Sequence, residues 1–312
     1  MNLNPIRDLL SQGYFQKAER LLRPFLAKNP QESEALALHQ KIRLELARLC
    51  DFQIEGFAYL GSYSYSAHGL TFTVSEYEHL LTVCDFVLLP PKEVPLPLTF
   101  FRGSPPQEEG RCSNETRHLV RLTQPFLVAK TPVTQKTWYQ IQRTTPSYHP
   151  LGALYPVELI SWDDCQFFCK KTGLQLLSEA QWEYAARGGT TSAFFCGEEL
   201  RLEWANFSSS KPIKGVTQTS PVGHYPPNAF GLFDMNGNVN EWCQDWYQED
   251  YEKDKTNDPL GPKRGLNRIY RGGSAYDPPY KLRSAMRSSM DPLYQNCALG
   301  LRVGKTLPLP PP

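Results

Sequence analysis

The side chains able to do redox, nucleophilic or soft-metal chemistry are eight cysteines (Cys50, Cys84, Cys112, Cys165, Cys169, Cys196, Cys243, Cys297) and six histidines (His39, His68, His79, His118, His149, His224). A soft-metal or dithiol site needs such groups at short, repeated spacing, yet no Cys-x-x-Cys pair occurs and the histidines show no paired ligand spacing. The cysteines are expected to serve as small buried hydrophobes with reduced thiols. A lone imidazole is more often a hydrogen-bonded structural group. No phosphate-binding Gly-rich loop, Gly-x-Ser-x-Gly elbow or His-Glu-x-x-His pair is present. Asn114-Glu-Thr116 and Asn206-Phe-Ser208 match the glycosylation sequon, which matters only in a secreted chain.

The elements that would position any site differ along the chain. In the first fifty residues Ile6, Leu9 and Leu10, then Ala18, Leu21, Leu22 and Phe25, then Leu36, Leu38, Ile42, Leu46 and Leu49 recur at helical spacing. Breaks fall at Gly13-Tyr14 and Asn29-Pro30, and the pattern resembles one tetratricopeptide-type helical hairpin. One such unit cannot bury its own face. Leu70, Phe72 and Val74 alternate as in a half-buried strand, and Glu76 to Thr82 reads as a short helix. From Phe86 onward short strands and turns dominate: Phe86–Leu89 stopped by prolines, Leu98–Phe101, and His118–Leu122 expected to pair with a strand around Phe126–Lys130. Helices are expected after Thr134, after the Ser161 cap to about Lys171, and after the Ser178-Glu-Ala-Gln181 capping box to Gly188-Gly189. A closing strand is expected over Leu299–Val303.

Composition narrows the function classes. The chain has 312 residues, 40% of them apolar, enough for a real core. Thirty-three basic side chains against 32 acidic ones leave a net charge of +1, so no footprint for nucleic acid or an anionic membrane is expected. No apolar run approaches the roughly 18 residues of a membrane span. MNLNPIRDLL lacks a basic segment followed by an apolar core, so the expected location is cytoplasmic. The 27 prolines and 12% aromatic residues point to a loop-rich fold packed by rings.

Several motifs fall in a fixed order: Phe101-Arg-Gly-Ser-Pro105, Lys130-Thr-Pro-Val-Thr134, Leu177-Ser-Glu-Ala-Gln-Trp-Glu-Tyr-Ala-Ala-Arg-Gly-Gly189, Trp204-Ala-Asn206, Pro227 through Trp242 with Asn228-Ala-Phe-Gly231 and Asn236-Gly-Asn238, Arg271-Gly-Gly-Ser274 and Gly300-Leu-Arg-Val303. This order resembles the formylglycine-generating-enzyme (sulfatase-modifying factor) family, which has a C-type-lectin-like fold. The resemblance covers roughly residues 83 to 304. It implies an α+β, loop-rich domain with short strands and a few helices. The domain organisation is then a helical hairpin over 1–50, a connecting α/β segment over 51–82, the lectin-like domain over 83–304, and a Pro-rich tail over 305–312.

In that family the stretch matching Asp234–Glu241 binds calcium. The matching positions are the side chains of Asp234 and Glu241 and the carbonyls of Gly237 and Val239, hard oxygen donors of the kind calcium takes. One calcium ion is therefore the implied cofactor. At the family's other calcium site Asn206 and Phe207 match, but Lys214 falls where a carboxylate is expected. The enzymes of the family carry two copper-binding cysteines just after the Gly-Gly-Ser turn. Here no cysteine follows Ser274 until Cys297, so neither copper nor the family's oxidation is expected.

The segment from the Gly-Gly-Ser turn to Gly300-Leu-Arg-Val303 also resembles the variable region of proteins diversified by retroelements. It offers Ala275, Tyr276, Asp277, Pro279, Tyr280, Met290, Leu293, Tyr294, Gln295 and Asn296 as candidate ligand-binding residues. The expected function is a non-catalytic module binding a protein or other ligand through residues 274–297. The alternatives are an oxidase of this family with a relocated metal site, and a structural or regulatory subunit working through its N-terminal helices. Neither nucleic acid nor membrane is an expected partner, and the sequence does not set the oligomeric state.

Overall fold

The computed structural model describes residues 3–50, 53–208, 218–251 and 256–309. Two compact units result, residues 1–63 with 75–85, and residues 64–74 with 86–312.

The first unit holds three helices, α1 (Asn4–Ser11), α2 (Phe15–Lys28) and α3 (Ser33–Arg48). Gly13 at φ 77° makes the first break. Ile6, Ala18, Leu22, Ile42 and Leu46 are buried, so the helical periodicity identified the packed face; Leu21, Leu36 and Leu49 stay exposed. The unit also contains the base of a hairpin, residues 57–63 of β1 (Phe57–Ala67) and 75–79 of β2 (Leu70–His79). Residues 76–79, expected to be helical, instead continue β2. The reason is charge pairing across the unit. Glu78 accepts from Arg23 of α2 at 2.5 Å and from Arg43 of α3 at 2.7 Å. Arg23 also bonds Asp85 at 2.8 Å.

In the second unit β3 (Cys84–Leu89), β6 (Phe126–Ala129), β12 (Val303–Thr306) and β7 (Gln175–Leu176) lie side by side in that order. A second sheet runs β10 (Ser288–Met290), β9 (Arg268–Arg271), β8 (Asn240–Trp246), β11 (Leu299–Gly300), with β11 parallel to β8. A third pairs β4 (Leu98–Arg102) with β5 (His118–Leu122). The expected pairing of His118–Leu122 with Phe126–Ala129 is therefore wrong. All four residues of β6 are buried, and it pairs with β3 on one edge and β12 on the other. The intervening turn is led elsewhere, because Thr123 N donates to Asp258 at 2.8 Å. The closing strand also departs from expectation. It divides into β11 and β12 in different sheets, with Arg302 turned inward between them.

The helices begin where their caps require. Thr134 accepts from Thr137 N ahead of α4 (Gln135–Gln142). Ser161 and Ser178 complete capping boxes ahead of α5 (Trp162–Thr172) and α6 (Glu179–Arg187), and Gly173 and Gly188 end them in left-handed geometry. Trp182, Phe126, Phe230 and Cys243 pack the main core. No helix among the described residues is long and apolar enough to cross a membrane.

Every residue of α6 is buried, including both of its carboxylates. Glu183 accepts from Arg187 at 2.8 Å, from Arg271 at 2.5 Å and from Gly103 N at 2.7 Å. Glu179 accepts from Arg102 and from Arg287 Nε at 2.7 Å, and its own N–H donates to Asp245 Oδ2 at 2.8 Å. The guanidinium groups hold the Glu179 carboxyl down at about 2 despite its burial. Asp245 makes no ion pair among the described residues, and the more distant charges of Arg102 and Arg287 only partly offset its burial. Burial, and then the Glu179 charge, push its pKa up to about 7.

A carboxyl raised on folding stabilises the fold when protonated, and that contribution is lost as pH rises through the folded pKa. Asp245→Asn should therefore be close to wild type in unfolding free energy near pH 4, where the unfolded carboxyl also keeps its proton, and more stable than wild type near pH 8. Urea denaturation across about pH 4 to 8 measures the gap; a gap that does not widen with pH would refute the assignment.

Candidate functional site

The chain between β9 and β11 forms the candidate site, and its entry is fixed by a buried turn. Gly273 sits at φ 67°, where an added Cβ would meet Leu282 Cγ at 2.7 Å. Ser274 follows, wholly buried, and both its N–H and its hydroxyl donate to Asp277 Oδ2, at 3.1 and 2.6 Å. Lys281 Nζ lies 3.5 Å from the other Asp277 oxygen. Pro279–Leu282 make a short 3-10 turn, and β10 then pairs with β9. In the return loop Tyr294 N donates to Asp291 O at 2.9 Å. Asn296 donates to Tyr294 OH at 2.9 Å and accepts from Ala298 N at 2.8 Å.

These loops enclose an open cavity of about 410 Å³ lined by Tyr276, Asp277, Met290, Tyr294 and Asn296, all anticipated from sequence. Asn240, Tyr270, Lys281 and Cys297 also line it and were not singled out in the sequence. Its wall offers phenols, a carboxylate, amides, an ammonium group and a thiol, a set suited to a mixed polar and aromatic ligand. The other anticipated residues lie elsewhere. Pro279 and Tyr280 line a separate depression of about 740 Å³ with Glu108, Glu109, Glu198 and Glu199. Ala275 is buried, its N–H donating to Asn238 O at 3.0 Å. Gln295 is turned to Asp164 at 3.0 Å, and Leu293 is exposed outside the cavity.

Tyr276 links this cavity to a segment that sequence reading passed over. Its hydroxyl lies 2.8 Å from His149 Nε2 with the two rings stacked, and Cys297 lines the same cavity. Burial, then the adjacent Cys297 and Glu158 charges, push the Tyr276 phenol up to about 12. Glu158 is fully buried and receives His149 N at 2.8 Å. No spacing rule connects residues 149, 276 and 297, so periodicity and motif scanning could not have grouped them.

The proposed calcium loop is fully buried. Asp234 Oδ2 accepts from Gly223 N at 2.7 Å, and Oδ1 has no hydrogen-bond partner among the described residues. Burial pushes the Asp234 pKa up to about 6. Glu241 is different. It receives Arg302 Nη2 at 2.8 Å and Trp182 Nε1 at 2.6 Å, so the guanidinium already neutralises it. Asp234 can offer an oxygen to a hard cation, whereas Glu241 would first have to release one of its donors. Asn206 is buried beside this loop, its carbonyl receiving Asn238 N at 2.9 Å; Lys214 lies outside the described residues. Among the described residues no group of three or more His, Cys, Asp or Glu could hold a metal ion.

Residues 99–307 match the sulfatase-modifying factor enzyme 1-like domain. Serine/threonine-protein kinase pkn1 of Chlamydia pneumoniae is 37% identical over 162 residues, 51% of this chain and 25% of that protein. Formylglycine-generating enzyme of Mus musculus is 35% identical over 163 residues, 47% of this chain and 43% of that enzyme. The match thus spans about a quarter of one curated relative and under half of the other. Among solved structures, PvdO from Pseudomonas aeruginosa superposes with a TM-score of 0.66 at 27% identity, covering 74% of this chain and 98% of PvdO. Treponema denticola variable protein 1 gives 0.59 at 22% identity over 78% of this chain and 98% of that one, which shows a shared fold. The fold is α+β and C-type-lectin-like, as the motif order implied.

Asp277→Ala would leave the buried Ser274 N–H and hydroxyl without their acceptor. That should cost about 1–3 kcal/mol in chemical denaturation, whereas Asp277→Asn keeps a side-chain oxygen and should recover most of the loss. Equal losses in the two variants would show that the Ser274 bonds do not organise the turn.

Proposed function

The chain belongs to the sulfatase-modifying factor enzyme 1-like family, and on that premise we propose that it is a non-catalytic binding module presenting residues 274–297 to a protein or other ligand. The observation that carries this reading is the convergence of Tyr276, Asp277, Met290, Tyr294 and Asn296 on one cavity of about 410 Å³. Tyrosines supply large contact area with little rotamer entropy to lose, and the neighbouring polar groups give directional bonds. The buried anchors Arg271, Ser274 and Arg302 bracket this segment, so side chains between them can change while the frame stays intact. That arrangement suits a face diversified by a retroelement.

The absence of cysteine from Ala275 to Asn296 supports a non-catalytic role, because soft thiolates are what a copper site there would need. The named enzyme relatives keep the oxidase alternative open to test: stoichiometric copper together with oxygen consumption on a cysteine peptide would favour it over binding alone. Cytoplasmic location, and a ligand that is neither nucleic acid nor membrane, go with the reading. The reading leaves the first unit as a second working surface, to be tested by deleting residues 1–50.

Binders selected from a displayed peptide library against the intact protein provide the test. Tyr276→Ala and Tyr294→Ala should each weaken such binders by about tenfold or more, a hot-spot-sized loss. Tyr280→Ala separates the cavity from the neighbouring depression. Binding unchanged in all three, with folding intact, would end the proposal. A near-identical repeat of the coding segment for residues 268–303 in the flanking DNA, differing mainly at adenines, would establish diversification.

A calcium ion at Asp234, with the Gly237 and Val239 carbonyls and Glu241, is part of the same proposal; bound there, it would supply the positive charge the Asp234 carboxylate lacks. Adding calcium to the metal-stripped protein should raise Tm in the wild type and not in Asp234→Asn. Equal shifts in both proteins would remove the site.

A further inference from the structure

The buried guanidiniums around α6 outnumber the carboxylates among them. Arg102, Arg187, Arg271 and Arg287 stand against Glu179, Glu183 and Asp245, and all of these side chains are buried. Even with Asp245 ionised, one positive charge is left without an opposite. A buried charge that nothing offsets is costly.

A cavity of about 40 Å³ opens beside this cluster. It is lined by Arg102 at the end of β4, His118 at the start of β5, Arg287 just ahead of β10 and Tyr251 from the loop after β8. The Tyr251 ring is clamped there. Its centroid lies 4.1 Å from the Arg102 guanidinium, 4.0 Å from that of Arg287 and 4.4 Å from the His118 ring. The Tyr251 hydroxyl is buried and has no hydrogen-bond partner among the described residues. The same is true of Nε of Arg102, a residue only 3% exposed. Both of these unspent groups can donate. The buried acceptor on the wall is already engaged, since the Glu179 carboxylate receives Arg102 and, at 2.7 Å, Arg287 Nε. His118 spends its Nδ1 proton on Thr116 O at 2.9 Å.

We infer that this cavity binds a small monovalent anion, chloride by size, held by Arg102 Nε and the Tyr251 hydroxyl. Volume sets the class of ligand. The cavity exceeds the roughly 10–15 Å³ that one water needs and falls far below the roughly 300 Å³ at which metabolite pockets begin. Charge separates an anion from water. A water molecule can satisfy the two donors, but only an anion also offsets the surplus guanidinium charge. Asp250 lines the cavity too, yet it is exposed, so solvent screens its carboxylate. The ion ties the loop after β8 to β4, to β5 and to the segment entering β10. It shares no lining residue with the cavity of the 274–297 face, so the inference does not rest on the binding proposal.

Sodium chloride and sodium bromide are the probes, with sodium gluconate at the same ionic strength as the control too large to enter. Either halide should raise the Tm of the intact protein saturably and beyond the effect of gluconate. Tyr251→Phe keeps the ring between the two guanidiniums and removes only the hydroxyl. The halide concentration at half-maximal shift should rise about tenfold in that variant, the loss expected for one hydrogen bond to a charged group. Peptide binders of the 274–297 face should keep their affinity for Tyr251→Phe, so failure here and failure of the binding proposal are distinguishable. Crystals of the wild type grown in bromide should show an anomalous peak between Arg102 and Tyr251, a readout that decides alone if the variant does not fold. Water only at that position, a halide effect no larger than that of gluconate, or equal midpoints in the two proteins would overturn the site.

Discussion

The second unit depends on a buried exchange of charge between one helix and the loops around it. Glu179 and Glu183 stand one turn apart on α6, both buried, and neither could remain ionised there unaided. Arg187, one turn on along α6, and Arg102, Arg271 and Arg287, from three other stretches of chain, neutralise them. Arg271 shows the consequence most clearly. Besides Glu183 it donates to the carbonyls of Ser284 at 3.0 Å and Ala285 at 2.9 Å, so one guanidinium joins α6 to both sides of the candidate binding loop. A fold with so little regular structure has few ladders to hold its loops. Buried ion pairs with defined hydrogen-bond geometry do that job, although pairs of this kind add specificity more reliably than they add stability.

Two more guanidiniums extend the frame. Arg283 binds Glu115 through both nitrogens at 2.7 Å and Glu108 at 2.6 Å, tying the 3-10 turn to the segment after β4. Arg268 lies between the rings of Trp162 and Trp246, 3.6 and 3.5 Å from their centroids, where burial lowers its pKa to about 10. Stacking of this kind replaces water on both faces of the cation. Around the cavity the pattern reverses. Tyr276 and Tyr294 are each more than a third exposed, and Asp277 is engaged mainly by its own turn. Rigid anchors with exposed phenols between them are what a surface needs if its specificity is to change without loss of the fold.

What could be read in the sequence was local. Ser161, Ser178 and Thr134 announce their helices because a cap needs only a side-chain oxygen and an N–H three residues on. The Gly-Gly-Ser turn and the phenols after it were likewise contained in one short segment. Pairings between distant segments were not legible. His118–Leu122 alternates like any half-buried strand, and nothing in it names β4 rather than β6 as its partner. The end of β2 reads as helix until Arg23 and Arg43 are seen to neutralise Glu78. Glu179 and Glu183 look like the solvent face of an ordinary helix, and only the arginines of other segments make them interior.

Cys297 is the sharpest case of that limit. As one of eight scattered thiols it carried no signal in the sequence. Sheet register returns it to the cavity, since pairing of Leu299 with Asn240 leaves residues 296–298 facing the turn that holds Tyr276. The same constraint accounts for His149, which the hydrogen bond from its N–H to Glu158 holds within reach of the Tyr276 hydroxyl. An anchored turn, a parallel strand pair and a buried carboxylate thus converge on one phenol. Asn240, Tyr276 and Cys297, from distant stretches of chain, share one cavity wall that no single stretch of the sequence describes.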